Sequence, residues 1–463
     1  MRKLQYKSIM FFVTFFAFLL FNVHLGNLKT SSQAVISEAS SELYLIQWNT
    51  ILIMRDLQTP RSLIQTNDGN YLVIGNRYPT PSESCCPLPQ SDIFLMKIAS
   101  NGMIKEINIY GDDNIAIDSG NIVIETENGW VIAGHTNAPP AVGMDFMLLK
   151  IDLEGKQMWK RTYNRSTEGE IRSFIRTADQ GFALLGLSSP RTPIPTDETM
   201  WLLKTDNDGV VQWNRTYGQN FTEYTSMIQS EDGGFVFTSY DGYLMKTDMS
   251  GEIQWQKEIG GTLFSLTSVE DGGFVLFGSK FNHPWLIKTD SLGIMEWNKT
   301  LPFSIEGEYV FSKNRTKILN IISSSDSGFI LTGTSVPVPD GGIINNSNVW
   351  IAKTDSNGII EWSHVFEIES FASIQAVIQN NEGDIVLTGE NKRYPWIIKI
   401  DLPPFAPINP SETVNIAPTI SLDIDHPTTT STNLKSATIS FPEIYLILLV
   451  VSIIGFWKKN HKV

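Results

Sequence analysis

Residues 270–297 read EDGGFVLFGSKFNHPWLIKTDSLGIMEW, a succession of turns and short apolar runs. Glu270-Asp271-Gly272-Gly273 leads into the run Phe274-Val275-Leu276-Phe277-Gly278. A second run, Trp285-Leu286-Ile287-Lys288-Thr289, ends at Asp290, and Asp290-Ser291-Leu292-Gly293 turns the chain toward Trp297. Glycine supplies positive φ at such turns and an aspartate carboxylate caps the turn amides, so both turns join strands. With Leu263–Val269 ahead of it, the unit reads as four short strands.

The unit recurs through the chain. Its first element appears as NDGNYLVIG (67–75), ENGWVIAG (127–134), ADQGFALLG (178–186), EDGGFVFTS (231–239), EDGGFVLFG (270–278), SDSGFILTG (325–333) and NEGDIVLTG (381–389). The second element follows as FLMKIASNG (94–102), LLKIDLEGKQMW (148–159), WLLKTDNDGVVQW (201–213), YLMKTDMSGEIQW (243–255), WLIKTDSLGIMEW (285–297), WIAKTDSNGIIEW (350–362) and WIIKID (396–401). Terminal Gly or Ser positions of the first element lie 39 to 59 residues apart. Four-stranded units at a period near 50 are the signature of propeller blades.

The seventh copy stops at Asp401 without a fourth strand, and the missing piece stands ahead of the first copy as Tyr44-Leu45-Ile46-Gln47-Trp48-Asn49. An N-terminal strand that completes the last blade closes the ring and removes sheet edges. The expectation is an all-β, seven-bladed propeller over 43–401. A length of 463 residues would ordinarily imply two to four domains, but the body is one ring of short units.

Both ends differ from the body. MRKLQYK (1–7) carries three basic groups, and Ser8–Phe21 is an apolar run. That layout, within 1–30, reads as a secretory signal peptide or an uncleaved anchor. Residues 402–440 are rich in Pro, Thr and Ser and read as a disordered stalk. Residues 441–457 (FPEIYLILLVVSIIGFW) read as a transmembrane helix and 458–463 (KKNHKV) as a basic cytoplasmic tail, leaving the propeller outside the cell. Signal, body, stalk, apolar segment and lysine tail together resemble the layout of anchored microbial surface proteins, archaeal ones in particular.

Charge narrows the function classes. The net charge is −14. Without the 4 basic groups of 1–30 and the 3 basic and 1 acidic groups of 441–463, the remainder holds 28 basic against 48 acidic groups, or −20. Such a surface argues against nucleic-acid binding.

The D-G-G-[FY]…G…W-L-[IV]-K-T-D…G…W units resemble those of secreted or surface-anchored β-propeller repeat proteins of archaea and bacteria. That resemblance implies the fold and says little about activity, because one superfold hosts many functions. The D-x-x-G-x-x-x-W stretch (Asp206 to Trp213) distantly resembles the docking repeat of quinoprotein dehydrogenases but is one residue shorter between Asp and Gly. Some of those enzymes carry a vicinal disulfide stacked on their quinone, and adjacent Cys85 and Cys86 bear on that alternative. Against it, the inner strands offer mainly Ser, Thr, Gln and apolar groups. No copy fits the spacing of sialidase Asp-boxes.

Candidate functional features follow from the alternation of strands. Tight turns gather on one face, whereas the loops 76–91, 135–144, 187–199 and 334–347, with an interblade insertion at 302–317, gather on the other. Long loops on a rigid scaffold are the expected binding surface. Cys85 and Cys86 sit in the first of them, as a vicinal disulfide, free thiols or intermolecular thiols. Six N-x-[ST] sequons, at Asn164, Asn214, Asn220, Asn298, Asn314 and Asn345, are candidate glycosylation sites. Trp48, Trp159, Trp213, Trp255, Trp297 and Trp362 are expected to pack between blades, with Glu106 at that position in the first copy. Asp152, Asp206, Asp248, Asp290 and Asp355 read as turn caps rather than calcium ligands, because calcium needs six to eight converging oxygens. His135, His283 and His364 fall in different copies without metal-ligand spacing.

These features point to a non-enzymatic binding or structural module of the cell surface. It is anchored in the membrane and meets an extracellular protein or glycan through its long-loop face, with no cofactor expected. The alternatives are a quinoprotein-like oxidoreductase, another degenerate propeller enzyme, or an architectural envelope component.

Overall fold

The computed structural model describes residues 46–401 together with 413–415, apart from 52–56, 79–90, 112–116, 138–143, 164–166, 191–198, 218–223, 282, 302–319, 336–347, 368–371 and 392–393. The described residues form seven sheets, six of four strands and one of five. Blade one is β2 (Leu57–Gln65), β3 (Tyr71–Arg77), β4 (Asp92–Ile98) and β5 (Ile104–Tyr110). Blade two is β6 (Asp118–Thr126), β7 (Gly129–Thr136), β8 (Asp145–Ile151) and β9 (Gln157–Tyr163). Blade three is β10 (Thr167–Arg176), β11 (Phe182–Pro190), β12 (Thr199–Thr205) and β13 (Val211–Tyr217). Blade four is β14 (Tyr224–Gln229), β15 (Phe235–Ser239), β16 (Tyr243–Thr247) and β17 (Ile253–Glu258). Blade five is β18 (Thr262–Ser268), β19 (Phe274–Lys280), β20 (His283–Thr289) and β21 (Met295–Thr300). Blade six is β22 (Asn320–Ser323), β23 (Phe329–Ser335), β24 (Asn348–Thr354) and β25 (Ile360–Glu367).

Blade seven contains the closure. Its order is β1-β28-β27-β26, from β26 (Ala372–Gln379), β27 (Ile385–Asn391) and β28 (Tyr394–Ile400), with β1 (Ile46–Ile51) as the outer strand. Strand β1 runs antiparallel to β28, placing Trp48 opposite Lys399 and Ile51 opposite Trp396. The chain is therefore an all-β, seven-bladed propeller with four-stranded blades.

The sequence pattern of the middle strands follows from how blades stack. Alternate side chains of a strand point to opposite faces, and here each face meets another blade. In β3, Tyr71 and Val73 join the core shared with blade seven, whereas Leu72 and Ile74 join the core shared with blade two. Strands covered on both faces read as continuous apolar runs, as in doubly covered sheets. Among the described residues the buried apolar side chains divide into seven clusters, each lying between two neighbouring blades. Outer strands are half exposed and alternate polar with apolar, as in β13 (VQWNRTY).

The glycine ending the first repeated element has a steric cause. A Cβ on Gly134 would lie 1.7 Å from the Ser119 carbonyl oxygen, and one on Gly278 would lie 2.0 Å from that of Thr262. Six of the seven inner strands bulge at this level, as between Gly120 and Ile122 or Leu263 and Ser265, which pushes the carbonyl against the neighbour.

Of the stalk expected over 402–440, the structure describes only 413–415. Within 402–440, β29 (Thr413–Asn415) pairs in parallel with Val365–Glu367, adding a fifth strand outside β25. An outer strand presents unpaired backbone groups that a further strand can meet. The rest of the stretch, the presumed leader (1–30), the apolar segment (441–457) and the basic tail (458–463) lie outside the described residues. Among the described residues no helix is long and apolar enough to cross a membrane.

Candidate functional site

The residues singled out from the sequence fall in different places. Cys85, Cys86, Asn164, Asn220, Asn314 and Asn345 lie outside the described residues, as does most of the four long loops. Asn214 and Asn298 are exposed on the outer strands β13 and β21. Their side-chain oxygens accept from the indoles of Trp201 and Trp285, at 3.3 and 3.1 Å.

The outer-strand tryptophans pack across blade seams onto the glycine of the next D-x-x-G turn. A Cβ on Gly102 would come within 2.7 Å of Trp48, one on Gly251 within 2.8 Å of Trp213, and ones on Gly293 and Gly358 within 2.7 Å of Trp255 and Trp297. Trp159 stands in the same relation to Gly209, at 3.1 Å, and Trp362 packs against the core between blades six and seven. Where blade one has Glu106, Asn108 donates to that carboxylate and covers Gly155 instead. Beside these contacts, Tyr110, Tyr163 and Tyr217 donate their hydroxyls to the carbonyls of Gly155, Gly209 and Gly251. Burial pushes all three phenols up, against the opposing charges of Arg161 at Tyr163 and Arg215 at Tyr217.

The turn face is built from charges that the repeat pattern leaves unexplained. Aspartates of the D-x-x-G turns accept from their own turn amides, as Asp206 does from Asp208 and Val210 at 2.9 and 2.8 Å. Aspartates of the D-G-G turns do more. Each caps its turn and also pairs with the lysine of the W-L-I-K-T-D strand in the same blade. Lys97 meets Asp68 at 2.9 Å, Lys204 meets Asp179 at 2.8 Å, Lys288 meets Asp271 at 2.6 Å and Lys353 meets Asp326 at 2.9 Å. Lys246 pairs with Asp232, and Lys399 lies 2.8 and 2.9 Å from Glu382 and Asp384. A second acceptor eight residues after the lysine, on the outer strand, completes several of these: Gln212, Gln254, Glu296 and Glu361.

These pairs make the fold acid-sensitive. Burial alone would raise the Asp232 carboxyl, but hydrogen bonds from Lys246, Ser230 and the Gly234 amide bring it down to about 2. Asp179 and Asp326 are lowered by the same opposition of burial and lysine pairing. At Asp271 the hydrogen bond from Lys288 is the leading cause. A carboxyl whose folded pKa lies below its unfolded value stabilises the fold above the unfolded value, and that contribution is lost as pH falls through the folded one. The melting temperature is therefore expected to fall between about pH 5 and pH 2. Thermal melts across that range check it, and a flat profile would show that the pairs contribute nothing.

Turns of neighbouring blades are stitched together at four seams by a residue at the end of the inner strand. Glu125 accepts from the Asn67 amide at 3.0 Å, Gln229 from Ala178 at 2.8 Å, Gln379 from Ser325 at 2.8 Å, and Gln65 from Asn381 at 2.8 Å, the last across the closing seam. In each case the long side chain of one blade reaches the turn of the blade before it. Blades five and six carry Ser268 and Ser323 at this position. Serine is too short to reach, and Ser323 instead bonds Thr267 at 2.9 Å.

A cleft of about 1190 Å³ opens where the two stitches are missing, over blades four, five and six. Its floor is rich in hydroxyls, including Ser268 and Ser323, and its rim carries the exposed Glu231 and Glu270. Lys288, bound to Asp271 and Glu296, and the edge of Trp297 complete the wall. The signal was present in the sequence as the series Gln65, Glu125, Arg176, Gln229, Ser268, Ser323, Gln379, but it needs the strand register to be read. Among the described residues no three His, Cys, Asp or Glu side chains come together as a metal site requires.

No protein-family model matches the chain, and no curated protein matches its sequence. Among solved structures, the WD40 domain of Neurospora crassa Pan2 is similar at 9% identity, covering 74% of this chain and 89% of that one, with a TM-score of 0.46. A protein of unknown function from Bacteroides caccae is similar at 10% identity, covering 60% of this chain and 93% of its own, with a TM-score of 0.39.

Proposed function

We propose that the chain is a non-enzymatic, glycan-binding module of the cell surface, held outside the membrane by its C-terminal apolar segment. The observation that carries this reading is the turn-face cleft. At about 1190 Å³ it exceeds the usual range for a drug-sized ligand, so it suits an extended one. Serine hydroxyls donate and accept, and carboxylates accept, which matches a ligand whose own groups are hydroxyls. The rigid ring holds these groups in place without a ligand to order them. The long-loop face, where the sequence places a protein or glycan partner, lies largely outside the described residues.

The test is a glycan and protein array probed with the full-length chain in detergent micelles, alongside two variants. Ser268→Gln with Ser323→Gln restores both stitches and is expected to weaken glycan binding at least about ten-fold while leaving the melting temperature unchanged or higher. Deleting 76–91 is expected to leave binding intact. The opposite pattern would move the site to the long-loop face, and capture of proteins but no glycan would overturn the ligand class. Glycosidase-sensitive mass at Asn214 or Asn298 would support the exterior location.

A further inference from the structure

Blade two breaks the charge pattern in two places at once. Its inner hairpin turn, Thr126–Gly129, spans four residues where blade four uses five, Ser230–Gly234, and it carries Asn128 but no aspartate to pair with the strand lysine. Lys150 is nonetheless retained and is only 7% exposed. The outer-strand position eight residues on, which supplies Gln212, Gln254, Glu296 or Glu361 in other blades, is Met158. The hydrogen bond described for the Lys150 ammonium goes to the Thr126 hydroxyl.

The neighbouring seam adds a second cation. Where other blades place Gln, Glu or Ser at the end of the inner strand, blade three places Arg176 beside the blade-two turn. Its Nε is buried and has no hydrogen-bond partner among the described residues. Burial, and then the charge of Arg176, holds the Lys150 ammonium below its ordinary pKa, with no carboxylate acting against them. Of the nearby acids, Glu125 is turned to the Asn67 amide on the blade-one side, and Glu127 is exposed on the turn. In blade one and blades three to six the aspartate that meets this lysine is solvent-facing, as with Asp179 at 52% and Asp271 at 57% side-chain exposure, so its place is reachable from solution.

We propose that the seam between blades two and three is an anion-binding site, in which an oxyanion from solution takes the place of the missing aspartate and is held by Lys150 and Arg176, the Thr126 hydroxyl being committed to the Gly129 carbonyl. A buried ammonium without a counter-charge is costly, and an exogenous anion relieves that cost as the built-in carboxylate does elsewhere in the ring. A guanidinium offers the fork that suits a phosphate, sulfate or carboxylate group. The site is independent of the cleft over blades four to six.

Full-length protein is titrated with inorganic phosphate, sulfate and acetate against chloride at constant ionic strength, following the melting temperature and the heat of binding. Saturable binding with a rise of about 2 °C is expected for at least one of the three anions. Phosphate or sulfate acting alone identifies a tetrahedral oxyanion, and acetate acting as well identifies a carboxylate source. Arg176→Gln is expected to weaken binding at least about ten-fold. Replacing Thr126–Gly129 by the five-residue turn Ser230–Gly234 supplies the aspartate internally, and is expected to abolish the anion effect while raising the melting temperature in chloride. No saturable effect beyond chloride overturns the proposal. So does an effect equally large in Arg176→Gln and in the turn replacement.

Discussion

Trp48→Ala is expected to destabilise the propeller by about 3–5 kcal/mol, the cost typical of removing a large buried aromatic. The indole is buried on β1, the single strand that joins the two ends of the ring. It donates to the Ser100 carbonyl at 2.9 Å, lies against Gly102 of blade one, and sits 5.8 Å from the Tyr71 ring. Thr50 on the same strand donates to the Gly102 carbonyl at 3.0 Å. Alanine leaves a cavity and an unmet carbonyl on the one outer strand that chain connectivity does not join to the other three strands of its blade. Chemical denaturation measures the loss, and hydrogen exchange at Ile397–Lys399, paired with β1, locates it. Trp213→Ala removes the equivalent ring from β13, an outer strand that follows directly on β12 of its own blade. Its β28 amides are expected to keep their protection, and equal loss of protection there in both variants would contradict a special role for closure.

The ring and its closure were legible because each depends on a local pattern that repeats. Turn, apolar run and turn recur seven times, and the copy that lacks a strand identifies the strand that supplies it. The charged layer was less legible. Lysine is present in every copy, from Lys97 to Lys399, yet its partner lies on a turn some twenty residues earlier in the same blade, which only the strand register brings alongside. The cleft was hidden for a related reason. Each turn is tight when read alone, and the space lies between turns, where Ser268 and Ser323 replace residues long enough to bridge. Blade two shows the same kind of hidden signal. One residue fewer in Thr126–Gly129 looks like ordinary turn variation until Lys150 is seen to have lost its carboxylate. The fold is written in features shared among the copies, whereas both candidate sites are written in departures from them.

Lys399→Met is expected to cost about 3–5 kcal/mol at neutral pH, the range for stranding a buried charge. Burial decides the magnitude. The Lys399 side chain is 5% exposed and that of Asp384 is 9% exposed, while Asp384 is also bonded by Asn380, which in turn reaches the Tyr71 hydroxyl at 3.1 Å. Burial, followed by a hydrogen bond shared with Asp384, holds the Asp401 carboxyl up, so the lysine neutralises a site with more than one acid. In the native protein burial opposes the charge of Asp384, but Lys399 and then Asn380 outweigh it and lower its pKa. Removing the cation takes away the leading cause that lowers the Asp384 carboxyl and leaves the burial that raises it. A raised carboxyl favours folding only where it is protonated, so the penalty of Lys399→Met is largest above the folded pKa and shrinks as pH falls toward about 4. Lys353→Met supplies the contrast. Its partners Asp326 and Glu361 have side chains 40% and 28% exposed, so water solvates them when the lysine is gone, and the cost is expected at about 1 kcal/mol. Denaturation of both variants at pH 7 and pH 4 separates the two cases. A pH-independent loss in Lys399→Met would assign its effect to lost packing rather than to the stranded carboxylates.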